Sequence, residues 1–368
     1  GALLPAGAGG RLDLSAEALS AQDPALDAAM GRNLRLETRF DYTAGRALRL
    51  DDLALRSDAL SAGGSAEVAA PFASTGLAFV LALDTGPLDR FSELAGRALR
   101  GAAALSVAGT AEPAARAFDI TADGRLSDAS FGTPEIDSLF GGTTTLELRA
   151  TRAEGRLVVP RLLIDNTHLT AQAGGDADAV DYSLRIADIG RLAPDFAGPA
   201  SLEGTARAAE AGWQVTSRAR GPGGTSADIS GLVGDDGQLD LVAQGSAPLG
   251  LANVVLAPRR IEGVARFDLR VRGAPRLGSV SGRVTTSGAR LAVPTLGLAF
   301  DPIDAQVTLA DARAQVTLDA RPSDGGRVRT EGALSLVSPF AADLSAVLDR
   351  VVLRDPTLYE TAVSGRLA

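Results

Sequence analysis

The chain has 368 residues, of which 45% are hydrophobic and 22% are charged, so it can bury a continuous apolar surface and is not composed like a disordered protein. It contains no cysteine and no lysine, which excludes disulfides, cysteine-based zinc sites, P-loops and lysine Schiff bases. The formal net charge is −9, and arginines alternate with acidic residues, which argues against a nucleic-acid surface.

Two features concern membranes and processing. No run of about 18 or more apolar residues is present, so the sequence predicts no membrane-spanning helix. The chain opens Gly-Ala-Leu-Leu-Pro, and its single methionine is Met30. We therefore expect a fragment or a processed product, with any anchor or targeting signal outside it.

The main signal along the chain is an alternation of apolar and polar residues, which is typical of strands with one apolar and one solvated face. In the first clear example, Leu34, Leu36 and Phe40 alternate with arginine and acidic residues. In chain order, the alternating segments are 34–42, 77–83, 146–150, 180–186, 261–271, 296–300, 303–309, 314–320 and 328–336. Since one side of every strand is polar, the pattern argues against a doubly wound parallel sheet.

Turn sequences rich in Gly and Asp separate the strands, as at 234–237 and 323–326, and they predict the hairpins of an all-β meander. Short segments with helix-like spacing interrupt it, each ending in glycine: 23–31, 87–101, 134–141 and 189–198. A short helix or loop, a glycine and a long strand thus recur near residues 31, 101, 141, 198 and 263, which predicts stacked, uneven repeats. We divide the chain into a repeated β segment at 1–250 and its continuation at 251–368.

The inventory for catalysis is poor, and we predict that the protein is not an enzyme. His168 is the single histidine, and we interpret it as an ordinary residue of the polar face. Asp176, Asp178 and Asp181 could share a calcium ion, but a plain turn fits their position between strands better. The glycine-rich segment 221–224 lacks the strand-to-helix context of a phosphate loop, so we interpret it as a loop tip. We expect no metal and no cofactor.

The apolar face of the strands is the remaining candidate for function. Aromatic residues make up 4% of the chain, and many inward positions are alanine or glycine, which leaves room between facing sheets. Two interpretations stay open at this point: the faces pack against each other, or they receive an apolar ligand.

The C-terminal third carries a resemblance to a known family. The segments 325–336 and 342–367 resemble the C-terminal signature domain of the TamB family, the inner-membrane subunit of the translocation and assembly module. The most specific element is Arg-Asp-Pro-x-Leu-Tyr followed by Val-Ser-Gly-x-Leu, with the family positions Asp355, Pro356, Leu358, Tyr359 and Gly365. The resemblance covers residues 250–368 and includes the stretches 251–263, 278–282 and 291–294.

The resemblance implies a periplasmic protein anchored in the inner membrane, with an elongated, curled (taco- or U-shaped) antiparallel β-sheet and an apolar groove. Such proteins work with an outer-membrane insertase-type barrel, TamA-like or related, and belong with the AsmA-like and bridge-like lipid-transfer group. Phospholipid acyl chains are then the expected cargo. The candidate groove residues are Leu34, Leu36, Phe40, Phe79, Leu81, Leu146, Leu148, Tyr182, Leu184, Phe267, Leu269, Val271, Leu296, Leu298, Phe300, Val316, Leu318, Leu334 and Leu336.

Physical chemistry makes this function coherent, because exposing a sixteen-carbon chain to water costs on the order of 12 kcal/mol. About 25 strands at ~4.8 Å spacing would form a track of roughly 120 Å, a length suited to bridging two membranes. We expect lipid transport between the inner and outer membranes. The alternatives are a scaffold that assembles outer-membrane barrels by β-augmentation and a structural β-solenoid with a filled interior. A transmembrane barrel and a polysaccharide-cleaving β-helix fit less well, since aromatic girdles and catalytic groups are lacking.

Overall fold

The computed structural model describes residues 7–18, 23–43, 46–69, 76–338, 340–355 and 359–367. In these ranges the chain forms 23 strands of one open antiparallel sheet, together with four α-helices of four to seven residues. The predicted all-β class, with antiparallel pairing and a few short helices, is confirmed. The chain divides into two compact units, Gly1–Ala187 and Asp188–Ala368. The predicted division at residue 250 stays a prediction.

Unit 1 is a meander in which each strand pairs antiparallel with the next one along the chain. Its helices are α1 (Pro24–Met30), α2 (Ser92–Ala95) and α3 (Pro134–Asp137). Its strands are β1 (Gly7–Ala16), β2 (Leu34–Thr43), β3 (Leu48–Ser57), β4 (Ser61–Ala69), β5 (Gly76–Pro87), β6 (Arg100–Glu112), β7 (Ala117–Ser130), β8 (Thr143–Ala153), β9 (Arg156–Asp165), β10 (Leu169–Gly175) and β11 (Ala179–Ile186).

Unit 2 repeats this arrangement, and its one helix is α4 (Asn253–Leu256). Its strands are β12 (Ala200–Ala209), β13 (Gly212–Gly221), β14 (Thr225–Gly234), β15 (Leu239–Pro248), β16 (Arg260–Glu262), β17 (Val264–Gly273), β18 (Val280–Val293), β19 (Leu298–Ala310), β20 (Arg313–Pro322), β21 (Arg327–Ser335), β22 (Ala342–Asp355) and β23 (Tyr359–Leu367). The short β16 and the longer β17 both pair with β18, so they are two parts of one strand interrupted at Gly263.

Most predicted elements lie where the sequence placed them. The four helix-like segments hold α1, a 3-10 turn with α2, α3, and the 3-10 turn Ile189–Arg191. The prediction that a strand begins at Leu296 is wrong, because Leu296 ends the 3-10 turn Pro294–Leu296 and β19 begins at Leu298. The proline fixes φ and lacks an N–H, and Gly297 follows at φ 62°, so this stretch turns rather than extends.

The α-helices lie along one margin of the sheet in each unit, which we call the helical margin. In a meander every second connection falls on the same side, and α1, α2 and α3 occupy the connections β1–β2, β5–β6 and β7–β8. In unit 2, the helix α4 lies in the connection between β15 and β16. The opposite margin of unit 1 includes tight turns such as 154–155, where both residues have positive φ.

Packing in the interior is concentrated near the helical margins. In unit 1, Leu139 and Phe140 are buried beside α3, and the ring of Phe140 meets that of Phe131 edge-on at 5.0 Å. In unit 2, Ala289, Ile303 and Ala320 form a buried cluster. The partly buried residues packed against that cluster are Leu249, Leu291, Phe300, Leu318 and Val328.

Glycine allows the strands to approach closely in the middle of the sheet. Gly282 of β18 has φ 126°, and a Cβ at this position would overlap the carbonyl oxygen of Asp268 in β17. Gly64 of β4 is placed similarly, with φ 153° against the carbonyl oxygen of Val80. Glycine inside a strand often marks such a bend or close backbone approach.

Replacing Gly282 by alanine should therefore destabilise the fold, because the new Cβ must push β17 away and hold a backbone angle that alanine rarely adopts. We expect Gly282→Ala to lower the free energy of unfolding by about 2 kcal/mol in a denaturant titration. Gly365 is the matched control, since it also lies in a strand of unit 2 and a Cβ there meets nothing within 4 Å. Equal losses in Gly282→Ala and Gly365→Ala would contradict this account.

Candidate functional site

The cross-strand register of unit 1 brings apolar residues together on one side of the sheet, which we call the apolar face of unit 1. Directly opposed pairs form a row that crosses all eleven strands without a polar residue. The row consists of Leu14, Leu36, Leu55, Ala62, Leu83, Leu105, Gly124, Leu146, Ile164, Ala171 and Leu184. Along β5 the face holds Leu77, Phe79, Leu81 and Leu83, which span roughly 20 Å.

Unit 2 has an apolar face of the same kind. One row of opposed residues passes from β12 to β22. It consists of Leu202, Ala219, Ala227, Gly245, Phe267, Val284, Val307, Val316, Gly332 and Leu344. Each unit thus carries a continuous apolar stripe that runs perpendicular to its strands.

The predicted groove residues are brought together on these faces. The register places 17 of them there, Leu336 follows the end of β21, and the side chain of Leu296 lies outside the described residues. The 18 whose side chains are described are all half-buried, neither fully covered nor fully exposed. In a two-layer sandwich, such mid-strand residues would be packed against a second sheet and fully buried.

The accessible surface area also indicates that the apolar faces are only partly covered. The chain exposes 22194 Å². Two separate compact domains of half its mass would together expose only about 16,500 Å². Among the described residues, the buried apolar side chains number sixteen, and nine of these are alanines. The protein therefore covers each apolar face only in part.

Side-chain caps hold the connections of the helical margin in place. The carboxylate of Asp137 accepts hydrogen bonds from the Phe131 N–H at 2.6 Å and the Ser130 hydroxyl at 2.8 Å. These bonds hold the pKa of Asp137 below its ordinary value. The amide of Asn166 donates to the carbonyl of Leu139 and to the hydroxyl of the fully buried Thr144, both at 2.9 Å.

The opposite side of the sheet, which we call the charged face, is bridged by ion pairs between neighbouring strands. Arg161 meets Glu147 at 2.7 Å, and Arg270 meets Asp240 at 2.8 Å. Hydrogen bonds from Arg270 keep the pKa of Asp240 below its usual range. Exposed pairs of this kind contribute little stability individually, but opposite charges favour one register over its neighbours.

Three open depressions lie mainly on the charged face, a feature that the sequence did not predict. One of about 660 Å³ crosses β18–β22, with Gln306, Thr317 and Glu331 in its lining. One of about 750 Å³ crosses β4–β8, and a third of about 400 Å³ crosses β9–β11. Their linings combine polar residues of the charged face with a few apolar ones, so a pattern of apolar residues along the chain does not predict them.

The groups considered for catalysis or metal binding form no such site in the described residues, where no three His, Asp or Glu side chains come together to hold a metal. His168 lies in the turn between β9 and β10. Asp176 accepts bonds from the N–H groups of Asp178 and Ala179 and closes the β10–β11 turn. The segment 221–224 forms a turn between β13 and β14, as expected for a loop tip.

The family positions fall at the last hairpin. Asp355 ends β22, Tyr359 begins β23 and Gly365 lies in β23. Pro356 and Leu358 lie outside the described residues, as do the side chains of Asp355 and Tyr359.

One charged residue on the apolar face of unit 1 escaped the sequence interpretation. Arg152 lies directly opposite Phe118 in β7 and Leu157 in β9, on the same side of β8 as Leu146 and Leu148. The signal is present in the sequence, since residue 152 continues the alternation of 146–150, although an arginine at an apolar position breaks the pattern.

None of the helices among the described residues has the length and hydropathy needed to cross a membrane. In comparisons with known proteins, no family model, no curated protein and no solved structure matches this chain.

The carboxylate of Asp137 should make stability depend on pH in the acid range. Its folded-state pKa is lowered from 3.8, so its contribution is complete above that value and is lost as the pH falls through the lowered pKa. We expect Asp137→Asn to lower the Tm at pH 7 and the difference from wild type to shrink below about pH 4. Calorimetry from pH 7 to pH 2 measures this; a difference that grows on acidification would contradict it. Asp235→Asn, in an exposed turn, is the control.

Proposed function

We propose that the apolar faces carry the acyl chains of lipids. The observation that supports this proposal is the combination of unbroken apolar rows with side chains that are only half-buried. Removing apolar surface from water is favourable by about 25 cal/mol for each Å², so a partly covered apolar stripe that crosses a whole unit favours a hydrocarbon partner. The stripe runs across the strands, so a chain could move from one row position to the next while staying in contact with apolar side chains.

The setting of this activity is part of the same proposal. The resemblance of residues 250–368 to the TamB signature domain points to the periplasm, to anchoring in the inner membrane and to a partner barrel of the insertase type in the outer membrane. In that setting the faces provide a path for phospholipids between the two membranes, in support of outer-membrane biogenesis. The chemistry is binding and transfer without covalent change.

The interior strands favour this function over a scaffold that works by β-augmentation. From β2 to β10, each strand is paired on both sides by its neighbours in the chain. An added strand needs free N–H and C=O groups along an edge, and the paired lengths of these strands offer none. Their apolar face, in contrast, carries half-buried apolar side chains away from the helical margin.

A charge on the apolar face should interrupt lipid binding, because a carboxylate must be desolvated when hydrocarbon covers it. Leu81 and Val80 are neighbours in β5 that point to opposite sides of the sheet, and Val80 is 56% exposed. We expect Leu81→Glu to reduce retention of a fluorescent phospholipid by roughly ten-fold or more, while Val80→Glu leaves it unchanged.

The measurement is lipid bound per protein after gel filtration, with circular dichroism to show that both variants are folded. Mass spectrometry of the purified wild type should also detect co-purified phospholipid. Wild-type protein that binds no lipid at any concentration would contradict the proposal, and so would equal retention by the two variants. Crosslinking of lipid-free protein to nascent barrel strands would favour the scaffold instead.

A further inference from the structure

Arg152 is the exception on the apolar face of unit 1. Among the side chains of unit 1 that the structure describes, it is the one charged residue that the strand register places on this face. It lies at the end of β8 away from the helical margin, next to the turn at 154–155. A charge there stands at the rim of the apolar face.

The guanidinium of Arg152 has no partner among the residues that the structure describes. Its Nε is shielded from solvent and has no hydrogen bond, and the side chain makes no ion pair with any described residue. Arginines of the charged face behave differently. Arg149, three residues earlier in the same strand, pairs with Asp119 at 3.1 Å. Arg152 therefore has donor capacity that the protein itself does not use.

The energetic cost of leaving this guanidinium unpaired depends on what covers the apolar face. An exposed guanidinium is well hydrated, but hydrocarbon laid over Phe118 and Leu157 would remove water from Arg152 as well. A charge that loses its water without gaining a partner is strongly unfavourable. The unfavourable contribution disappears if the ligand brings its own anion, because a guanidinium binds phosphate or carboxylate with two parallel hydrogen bonds.

We propose that Arg152 binds the anionic headgroup of a lipid whose acyl chains lie on the adjacent apolar face. This proposal rests on the function proposed above and adds to it a binding site for the headgroup. The headgroup stays at the rim, in contact with water, while the chains reach inward over Ala150 and Leu148. Movement along unit 1 then includes one position where an anionic lipid is held more tightly than a neutral lipid of the same chain length.

The test compares two lipids with identical, tail-labelled acyl chains: phosphatidylglycerol, which carries a phosphate, and diacylglycerol, which carries no charge. The full chain should bind phosphatidylglycerol more tightly. Arg152→Gln should weaken phosphatidylglycerol binding by roughly ten-fold and leave diacylglycerol binding within about two-fold. Arg152→Lys keeps the positive charge but cannot donate two parallel hydrogen bonds. Its affinity for phosphatidylglycerol should therefore lie between those of the wild type and Arg152→Gln. Arg149→Gln, on the charged face, is the matched control and should change neither affinity.

The outcomes separate this proposal from the one on which it rests. If wild-type protein binds both lipids and Arg152→Gln changes both affinities equally or neither, the headgroup assignment is wrong while the lipid-binding face stands. If wild-type protein binds neither lipid, the proposed function itself fails. Inorganic phosphate at the same concentration should not displace labelled phosphatidylglycerol. Displacement as effective as that by unlabelled lipid would show a free-phosphate site and would overturn the assignment.

Discussion

A strand that is hydrogen-bonded on both sides has only its two faces left for burying side chains. In this protein the period-two pattern sends nearly all the large apolar residues of a unit to one face and the arginines and carboxylates to the other. The solvated face needs no cover, whereas the chain itself covers the apolar face only in part. The proposed lipid function and the proposed role of Arg152 both depend on this imbalance.

The fold holds together without a large central core because other interactions take over part of its role. Backbone hydrogen bonds link each strand to its neighbour, and opposed ion pairs such as Arg218 with Asp228 favour a single register. Small clusters near the helical margins bury Phe140 in unit 1 and Ile303 in unit 2. Side-chain caps such as Asp137 fix the connections there. The buried part of each face thus lies mainly near one margin, and most of the rest is half-buried.

Much of this architecture could be predicted from the sequence, since alternation depends only on local geometry. The side chains of Phe267, Leu269 and Val271 lie on one face, as expected from their spacing. Other features depend on backbone geometry that residue patterns do not encode. Leu296 was assigned to a strand because the turn formed with Pro294 and Gly297 interrupts the alternation only locally. The depressions on the charged face are lined by residues of several strands that are far apart in the chain. Whether an apolar face is packed or open is decided by residues far apart in the chain, so the sequence left both outcomes open.

The central claim is that hydrocarbon, rather than protein, covers the apolar faces, and cysteine reactivity tests it most directly because the chain has no native cysteine. Single cysteines would replace Leu81 and Leu269 on the apolar faces, with Val80 as the exposed reference and the fully buried Ala289 as the covered one. The rate of labelling by a water-soluble maleimide is then measured with and without bound phospholipid. We expect Leu81→Cys and Leu269→Cys to react readily in lipid-free protein and slowly after lipid is added, while Val80→Cys reacts equally in both states. Labelling of the two apolar-face cysteines in lipid-free protein as slow as that of Ala289→Cys would show that the protein covers these faces itself and would contradict the account.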